Sequence, residues 1–308
     1  MASGPALSVV VVAFDMGREL PRTLRALAPG YQRGLEGTDV EVIVVDNGSP
    51  VPLEPPADQA HVRWSRIDPA PASPVRAANE GISRARGDLI GLIVDGARLA
   101  SPGLLATALA ASRTGDRTVV TAPAYHLGSA THMEATVQGY DEAKEDQLLE
   151  ACGWEDDGYQ LFTVSTLAAS SGRGWFGPMG ESSSLFLRRA VWDELGGLDE
   201  RFALPGGGLA NHDLYRRACE AAGTTLVVLP GEGTFHQIHG GAATSRRFGW
   251  DEMHADYVAV RDQPYKPPRN RPIYYGMIPD QAMRHAARSA ELAIERAERQ
   301  RRRSGDRG

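Results

Sequence analysis

Cysteine, long apolar segments and repeats are all scarce in this sequence. Its 308 residues include only two cysteines, Cys152 and Cys219, which are too few for a disulfide framework and fit a reduced, cytoplasmic protein. The apolar run LSVVVVAF at residues 7–14 is far shorter than the ~20 residues of a membrane-spanning helix, and no basic residue precedes it as in a signal peptide. No repeat of solenoid spacing is present. We therefore expect no transmembrane segment and interpret the run as a buried strand.

Three common glycine motifs are also missing. The first turn after a predicted strand reads AFDMGREL and lacks GxGxxG, so a dinucleotide site of the usual kind is not expected. The P-loop pattern GxxxxGK[ST] and the nucleophile elbow GxSxG are absent as well. These absences leave a nucleotide site built from acidic strand ends, with a diphosphate held by a metal.

Positive charge is in deficit over most of the chain. The formal net charge is −6, which argues against a general nucleic-acid binder. Residues 261–308 hold 12 Lys and Arg against 6 Asp and Glu, a net of +6, so residues 1–260 carry −12. The basic run at residues 299–303 is typical of a solvated helix end, but it also suits an acidic partner or an anionic membrane surface carrying a lipid-linked acceptor.

Strand and helix patterns alternate in the first 125 residues. Hydrophobic residues make up 42% of the chain, enough for a core. Strand patterns cover residues 7–14, 40–46, 61–67, 88–95 and 118–123, and helix patterns cover residues 19–27, 75–86 and 102–112. Because the strand patterns are near-continuous Val and Ile runs, they predict a mainly parallel α/β sheet covered on both faces.

The pattern changes after residue 125. Residues 126–180 form a long polar segment with scattered aromatics, which we interpret as a binding region. Strands are predicted at 182–189 and 224–230, the latter as the last strand, and helices at 190–195, 213–222 and 282–303. Residues 263–279 are rich in Pro and Tyr and predict an extended strap. The aromatics Trp175 and Phe176 suit either acceptor stacking or the core, and the glycines at 206–208 suit either a closing loop or a plain connector.

Three predicted strands end in acidic residues: Asp15, Asp46 and Asp95. Ligands of open parallel sheets bind at the carboxyl ends of the strands, where these three side chains should gather. Each one alone also suits an ordinary turn. Three in succession favour a binding edge.

Several segments together resemble a known family. LSVVVVAFDMGRELPRTLRAL, VEVIVVDNGSP and AANEGISRARGDLIGLIVDGARLASPGLL are similar to the nucleotide-sugar-binding half of a GT-A glycosyltransferase, with family 2 the closest group. LRRAVWDELGGLDERF and HDLYRRACEAAG extend the resemblance, which covers about residues 7–245. It implies a GT-A, Rossmann-like sheet flanked by helices, and a transferase that moves a sugar from a nucleotide-diphosphate donor to a carbohydrate, lipid-linked or small-molecule acceptor.

The resemblance also implies roles for individual residues. The nucleobase and ribose would contact Ala13, Phe14 and Asp15 after the first strand, and Asp46 after the second. Beside the nucleotide would lie Asn79, Gly81 and Arg86. Val94 and Asp95 fall at the DxD motif of the family, where a carboxylate binds Mg²⁺ or Mn²⁺ and the metal neutralises the diphosphate.

The sequence departs from the family at the metal motif. It reads Asp95-Gly96-Ala97, so the second acid of DxD is absent and a further ligand is needed. The segment GTFHQIHGG offers His236 and His239, similar to a C-terminal metal-binding segment in some GT-A enzymes. Imidazole ligands favour Mn²⁺ over Mg²⁺. An ordinary hydrogen-bonded loop pair is the alternative for these histidines.

A second departure concerns the catalytic base. Family members that invert the sugar carry a Glu-Asp pair where this chain has Ala210 and Asn211, and an asparagine cannot accept the acceptor proton. Asp213 is intact but suits a first-turn helix acid, and Glu181 is another candidate base. A retaining mechanism without such a base stays open.

These observations leave two functional alternatives and a domain prediction. Ala97 and Asn211 stand where catalytic members of the family have acids, which is compatible with a catalytically impaired nucleotide-sugar-binding protein. A nucleotidyltransferase ranks last, because the glycine-rich start of such enzymes is absent. We expect one GT-A domain over residues 1–260, divided into a nucleotide-sugar half (1–125) and an acceptor and metal half (126–260), followed by a strap and basic helical tail (261–308). The oligomeric state, a homo-oligomer included, is open.

Overall fold

The computed structural model describes residues 4–55, 59–240 and 249–305. Its strands are β1 (Leu7–Ala13), β2 (Val40–Asp46), β3 (Val62–Arg66), β4 (Leu89–Ile93), β5 (Arg98–Ala100), β6 (Thr118–Thr121), β7 (Ala124–Leu127), β8 (Ser165–Leu167), β9 (Ser184–Arg188), β10 (Thr225–Val228), β11 (Thr234–His236) and β12 (Ile273–Tyr274). The α-helices of the described residues are α1 (Leu20–Leu27), α2 (Val75–Arg84), α3 (Leu104–Ala111), α4 (His132–Ala135), α5 (Glu142–Cys152), α6 (Arg189–Leu195), α7 (Ala210–Glu220), α8 (Trp250–Arg261) and α9 (Met283–Gly305).

Eight strands form the main sheet, in the order β12-β10-β6-β9-β4-β1-β2-β3. All of its pairings are parallel except those of β9, which runs antiparallel to both β4 and β6. The predicted mainly parallel α/β sheet is thus confirmed. Because β1, β2 and β4 run in the same direction, their carboxyl ends lie at one edge.

Helices cover both faces of this sheet, which explains the continuous apolar strands. Every residue of β1 and β2 is buried. Val9 and Val11 of β1 join a core with α1 and α3, whereas Val10 and Val12 point to the other face and join a core with α2, α6, α7 and α8. The period of two along a strand sends alternate side chains to opposite faces, so both faces need apolar residues.

A smaller sheet lies beyond the carboxyl edge, in the order β5-β11-β7-β8. β11 pairs antiparallel with β5 and parallel with β7. This register aligns His236 of β11 with Arg98 of β5 on one side and with His126 of β7 on the other. Residues far apart in the sequence therefore meet beside Asp95.

Most predicted elements are confirmed, with small differences in their bounds. The prediction of 224–230 as the last strand is wrong, because β11 and β12 follow it. The strap predicted as merely extended contains β12, which pairs with β10 at the sheet edge. The segment 126–180, interpreted as a binding region, contains the end of β7 together with α4, α5 and β8. These short elements lack long periodic patterns and escape sequence reasoning.

The C-terminal helix α9 packs against the domain through its first half. Ser289 Oγ accepts a hydrogen bond from the Trp175 backbone N–H at 3.0 Å, and Arg284 donates to the carbonyl oxygens of Phe162 and Ser165. Across the described parts of the chain, no helix has both the length and the apolar character needed to cross a bilayer.

Candidate active site

The turns after β1 and β2 meet at the carboxyl edge. The backbone N–H of Asp15 donates to Ser49 Oγ at 2.9 Å, which joins the two turns directly. Asp15 adopts a positive φ of 53°, a conformation that Asp tolerates better than most residues, and its side chain is exposed. Ala13 is buried at the end of β1, and Phe14 is 50% exposed. Phe14 and Asp15 thus face solvent where a nucleoside would be expected.

Asp46 is fully buried and its carboxylate is used internally. Oδ1 accepts hydrogen bonds from the backbone and hydroxyl of Ser49, and Oδ2 accepts one from Arg66 at 2.6 Å. Burial alone would raise the pKa of Asp46, but these hydrogen bonds outweigh it and hold the pKa below its usual range. Asp46 therefore stabilises the turn that carries Ser49, and its carboxylate is not exposed to solvent.

Three other predicted nucleotide neighbours lie away from this edge or are engaged elsewhere. Asn79 exchanges hydrogen bonds with the backbone of Leu198, so its amide holds that loop. A Cβ on Gly81 would lie 2.3 Å from Val10 Cγ1, so glycine here lets α2 approach β1. Arg86 pairs with Glu41, near the amino end of β2. The structure does not bring these residues together with Asp15.

An apolar cleft lies beside the carboxyl end of β4. Val94 and the glycines at 206–208 contribute to its lining, together with Asn211. The glycine loop therefore lies next to Val94 and Asn211, two of the predicted site residues.

Asp95, His236 and His239 converge at one point, although 140 residues separate the acid from the histidines. Their ligating atoms all lie within 4.8 Å of one another. His236 Nε2 is 3.1 Å from His239 Nε2 and 3.7 Å from Asp95 Oδ2. Burial, followed by the nearby charge of Arg98, lowers the pKa of His236 well below its ordinary value, which keeps the ring in the neutral form that binds metals.

Arg98 is a neighbour that sequence reasoning missed. Its Nε donates to Asp95 Oδ2 at 2.9 Å, and its side chain is 13% exposed. It follows Asp95 by only three residues, so the acid-x-x-Arg spacing was a readable signal. A guanidinium group is a side chain that can pair with carboxylate or phosphate oxygens.

Two more histidines of this cluster were also missed. His126 and His132 stack with ring centroids 4.3 Å apart, and together with His236 they form a second group whose ligating atoms lie within 4.8 Å. His132 is 2% exposed, and neither of its ring nitrogens has a hydrogen-bond partner among the described residues. Burial lowers the pKa of His126 to about 3 and that of His132 to about 4. Only the pairing of β7 with β11 reveals their position.

The two candidate bases differ sharply in their surroundings. Asp213 is buried, and its carboxylate oxygens accept hydrogen bonds from Arg217 at 2.7 Å and from Arg261 at 2.5 and 2.6 Å. This ion-pair network ties α7 to α8. Both carboxylate oxygens of Asp213 are therefore occupied by arginines and do not face a substrate site among the described residues.

Glu181 lies on the segment that leads into β9, and its side chain is 29% exposed. Its Oε2 accepts a hydrogen bond from Asn211 Nδ2 at 2.8 Å and lies 3.5 Å from His212 Nδ1. Asn211, at the start of α7, thus holds a carboxylate instead of carrying one. Of the two aromatics, Trp175 is buried with its Nε1 donating to Tyr125, and Phe176 is 39% exposed.

Residues 8–150 match the family model described as Glycosyl transferase family 2. The match covers 143 of the 308 residues. The resemblance noted in the sequence is thereby confirmed. No curated protein sequence matches the chain.

Solved glycosyltransferase structures share the fold. Mannosyltransferase PcManGT from Pyrobaculum calidifontis, in complex with GDP-Man and Mn²⁺, aligns with TM-score 0.52 and 17% identity over 87% of this chain and 67% of its own. S. aureus TarS 1-349 in complex with UDP-GlcNAc aligns with TM-score 0.51 and 13% identity over 84% and 68%. A further crystal structure of TarS 1-349 aligns with TM-score 0.46 and 13% identity. That alignment includes 75% of this chain and 60% of the TarS chain. The first two of these alignments confirm the predicted GT-A fold.

Proposed function

We propose that this protein is a metal-assisted glycosyltransferase that moves a sugar from a nucleotide-diphosphate donor to a hydroxyl of an acceptor. The observation that carries the proposal is the convergence of Asp95, His236 and His239 at the carboxyl edge of a family 2 domain. The donors named for the similar structures, UDP-GlcNAc and GDP-Man, support a nucleotide sugar as the donor class. Both cysteines are unpaired, which suits the cytoplasm as its location.

The donor atoms of this cluster fit a divalent ion. An ion bound at about 2.1 Å separates neighbouring ligand atoms by about 3.0–3.4 Å. The 3.1 Å between His236 and His239 matches this spacing, and the 3.7 Å to Asp95 needs only a small side-chain rotation. With two imidazoles and one carboxylate, the set favours Mn²⁺ over Mg²⁺. A divalent ion there would neutralise the charge that develops on the departing diphosphate.

The remaining residues would contact two parts of the donor, its nucleoside and its diphosphate. Phe14 and the exposed Asp15 would contact the nucleoside, with Ala13 and the Asp46–Ser49 turn shaping that surface. Arg98 would contact the diphosphate from beside Asp95. We assign the catalytic domain to residues 1–260, with 261–308 as an appended segment.

Glu181 is the base that we assign to the acceptor side. Its carboxylate is partly exposed beside the cleft that Asn211 helps to line, and Asn211 holds it in place. Accepting the proton of an acceptor hydroxyl requires a carboxylate within hydrogen-bond reach of the substrate, which Asp213 does not offer behind Arg217 and Arg261. Transfer with inversion would follow from this arrangement.

Binding and turnover of donors test the proposal. Nucleoside diphosphates should raise the melting temperature more with Mn²⁺ than without it, because ligands that bind the native state stabilise it by mass action. Asp95→Asn should remove the Mn²⁺-dependent part of this rise and abolish donor turnover, while Asp88→Asn, an acid just before β4, serves as the matched control. Unchanged turnover in the Asp95 variant would refute the metal assignment. Donor binding without sugar transfer or donor hydrolysis would instead identify a nucleotide-sugar-binding protein.

A further inference from the structure

The backbone between the two metal-binding histidines is held by a buried charge pair. Ile238 N–H donates to Glu145 Oε2 at 2.8 Å, and the Ile238 carbonyl accepts from Arg18 at 3.2 Å. Both backbone groups of Ile238 are therefore bonded to side chains from α5 and from the turn before α1. Because Ile238 immediately precedes His239, these bonds set the position of that histidine.

Glu145 is an unusual residue for this position. Its side chain is 0% exposed, and Arg18 lies 3.2 Å from Oε1. Burial raises the pKa of Glu145 to about 7, although the Ile238 N–H and Arg18 lower it. An ionisable side chain is rarely fully buried unless specific partners require it. The hydrogen-bond donors to Glu145 are the Ile238 N–H of the metal-binding segment, Arg18 and the Tyr140 hydroxyl.

The neighbouring residue is held in the same way. Gln237 N–H donates to the Ala97 carbonyl at 2.8 Å, and its side-chain amide donates to the Glu19 carbonyl at 3.2 Å. The residues between His236 and His239 are thus anchored to α1 and α5. The histidine side chains point the other way, toward Asp95.

We propose that Glu145 and Arg18 are positioning residues, which hold His236 and His239 at the separation that a divalent ion requires. This inference rests on the proposed function, since it assigns these histidines to the metal. Partners that orient metal ligands typically contribute about 10–100-fold in metal affinity. Here they act through the backbone of Ile238 rather than through a ring nitrogen.

A pair of adjacent isosteric variants tests the role of Glu145. Glu145 Oε2 accepts from the Ile238 N–H and, at 3.5 Å, from the Tyr140 hydroxyl, whereas Oε1 accepts from Arg18. Glu145→Gln has a single acceptor oxygen, so it can accept from Ile238 or from Arg18 but not from both. The next residue is the control: Asp146 accepts from Arg18 and Arg22 on the same oxygen, Oδ1, so Asp146→Asn can keep both bonds. Asp146 does not touch the metal-binding segment within the described residues.

The measurement is the Mn²⁺ dissociation constant of the full chain, followed by the EPR signal of free Mn²⁺. We expect Glu145→Gln to weaken Mn²⁺ binding by about 10–100-fold, with metal-free nucleoside-diphosphate binding unchanged, and Asp146→Asn to bind like wild type. Arg18→Gln, which loses the bond to the Ile238 carbonyl, should weaken Mn²⁺ binding too and replaces the first variant if that one does not fold. Folding is checked by circular dichroism.

Two outcomes would overturn the inference in distinguishable ways. Wild-type affinity for Mn²⁺ in folded Glu145→Gln or folded Arg18→Gln would refute the positioning role while leaving the metal site intact. Absence of Mn²⁺ binding in the wild type, with or without nucleoside diphosphate, would refute the metal site itself and this inference with it.

Discussion

At the scale of single residues, burial and partners separate side chains that look equivalent in the sequence. Asp46, Asp213 and Glu181 are all acids near predicted functional segments. Asp46 and Asp213 are enclosed by donors, whereas the contacts of Glu181 leave its carboxylate partly exposed beside a cleft. A buried carboxylate whose two oxygens are both bonded to protein donors lacks the access to substrate that proton transfer requires.

The first residue-scale prediction concerns the base. Glu181→Gln should lower kcat by about 10²–10⁴-fold, the usual contribution of a general base, with donor binding little changed. As a control, Asp199→Asn changes an acid that pairs with Arg201 and Arg261, and it should leave kcat near wild type. Initial rates of transfer measure both. A kcat for Glu181→Gln within a few fold of wild type would assign the proton to another group.

The second residue-scale prediction is a pH dependence. Because the folded-state pKa of His132, about 4, lies below the unfolded value near 6.5, the unfolded chain takes up a proton first as pH falls. The metal-free protein should therefore lose stability between pH 6.5 and 4, by on the order of 3 kcal/mol from this group. Urea unfolding in EDTA should show a smaller loss for His132→Gln. An identical pH profile for the two proteins would contradict this prediction.

At the scale of elements, helix and strand packing explains residues that the family resemblance had placed beside the nucleotide. Gly81 lets α2 lie against Val10, and Asn79 fixes the loop at Leu198. Their roles in the structure are therefore in the architecture that supports the edge. The short strands β5, β7 and β11 have no distinctive sequence pattern. Their pairing nevertheless brings His126 and His236 together beside Arg98.

The element-scale prediction concerns this packing. Gly81→Ala should lower the free energy of unfolding by about 1–3 kcal/mol, because its Cβ would lie 2.3 Å from Val10 Cγ1 and the helix would have to move. Gly30→Ala, where a Cβ meets nothing within 4 Å, is the control and should be close to neutral. Chemical denaturation measures both. Equal stability of the two variants would show that α2 shifts without cost.

At the scale of the whole molecule, the last segment of the chain completes the main sheet and covers one side of the domain. β12 adds to the sheet edge beside β10, and the first half of α9 contacts Trp175, Phe162 and Ser165. Residues 297–303 of this helix are exposed, including the arginines at 299 and 301–303. The +6 charge predicted for a tail is therefore divided between a packed part and an exposed part.

The whole-molecule prediction concerns the melting temperatures of two truncated chains. Ending the chain before Met283 should lower the melting temperature, because it removes the partner of Trp175 and exposes apolar surface. Ending it after Arg299 removes residues 300–303, which are exposed, together with the residues that follow them, and should leave the melting temperature unchanged. Differential scanning calorimetry compares the two. Equal melting temperatures would show that α9 does not contribute to the stability of the domain.

Much of the fold was readable from the sequence. Continuous Val and Ile runs predicted the parallel sheet because both of its faces are covered, and the acids at strand ends predicted a binding edge. Asp95 with His236 and His239 was predicted from the family resemblance and from the missing second acid, and the structure brings these three side chains together.

Only the tertiary structure decided which of these groups are free to act. Pairing of β11 with β5 and β7 added Arg98 and His126 to the cluster, and α4 added His132. Long-range pairing also enclosed Asp213 between Arg217 and Arg261 and left Glu181 beside Asn211. The physical reason is that sequence patterns report local conformation and burial, whereas the partners of a charge, which set its pKa and its access to substrate, come from elements distant in the chain.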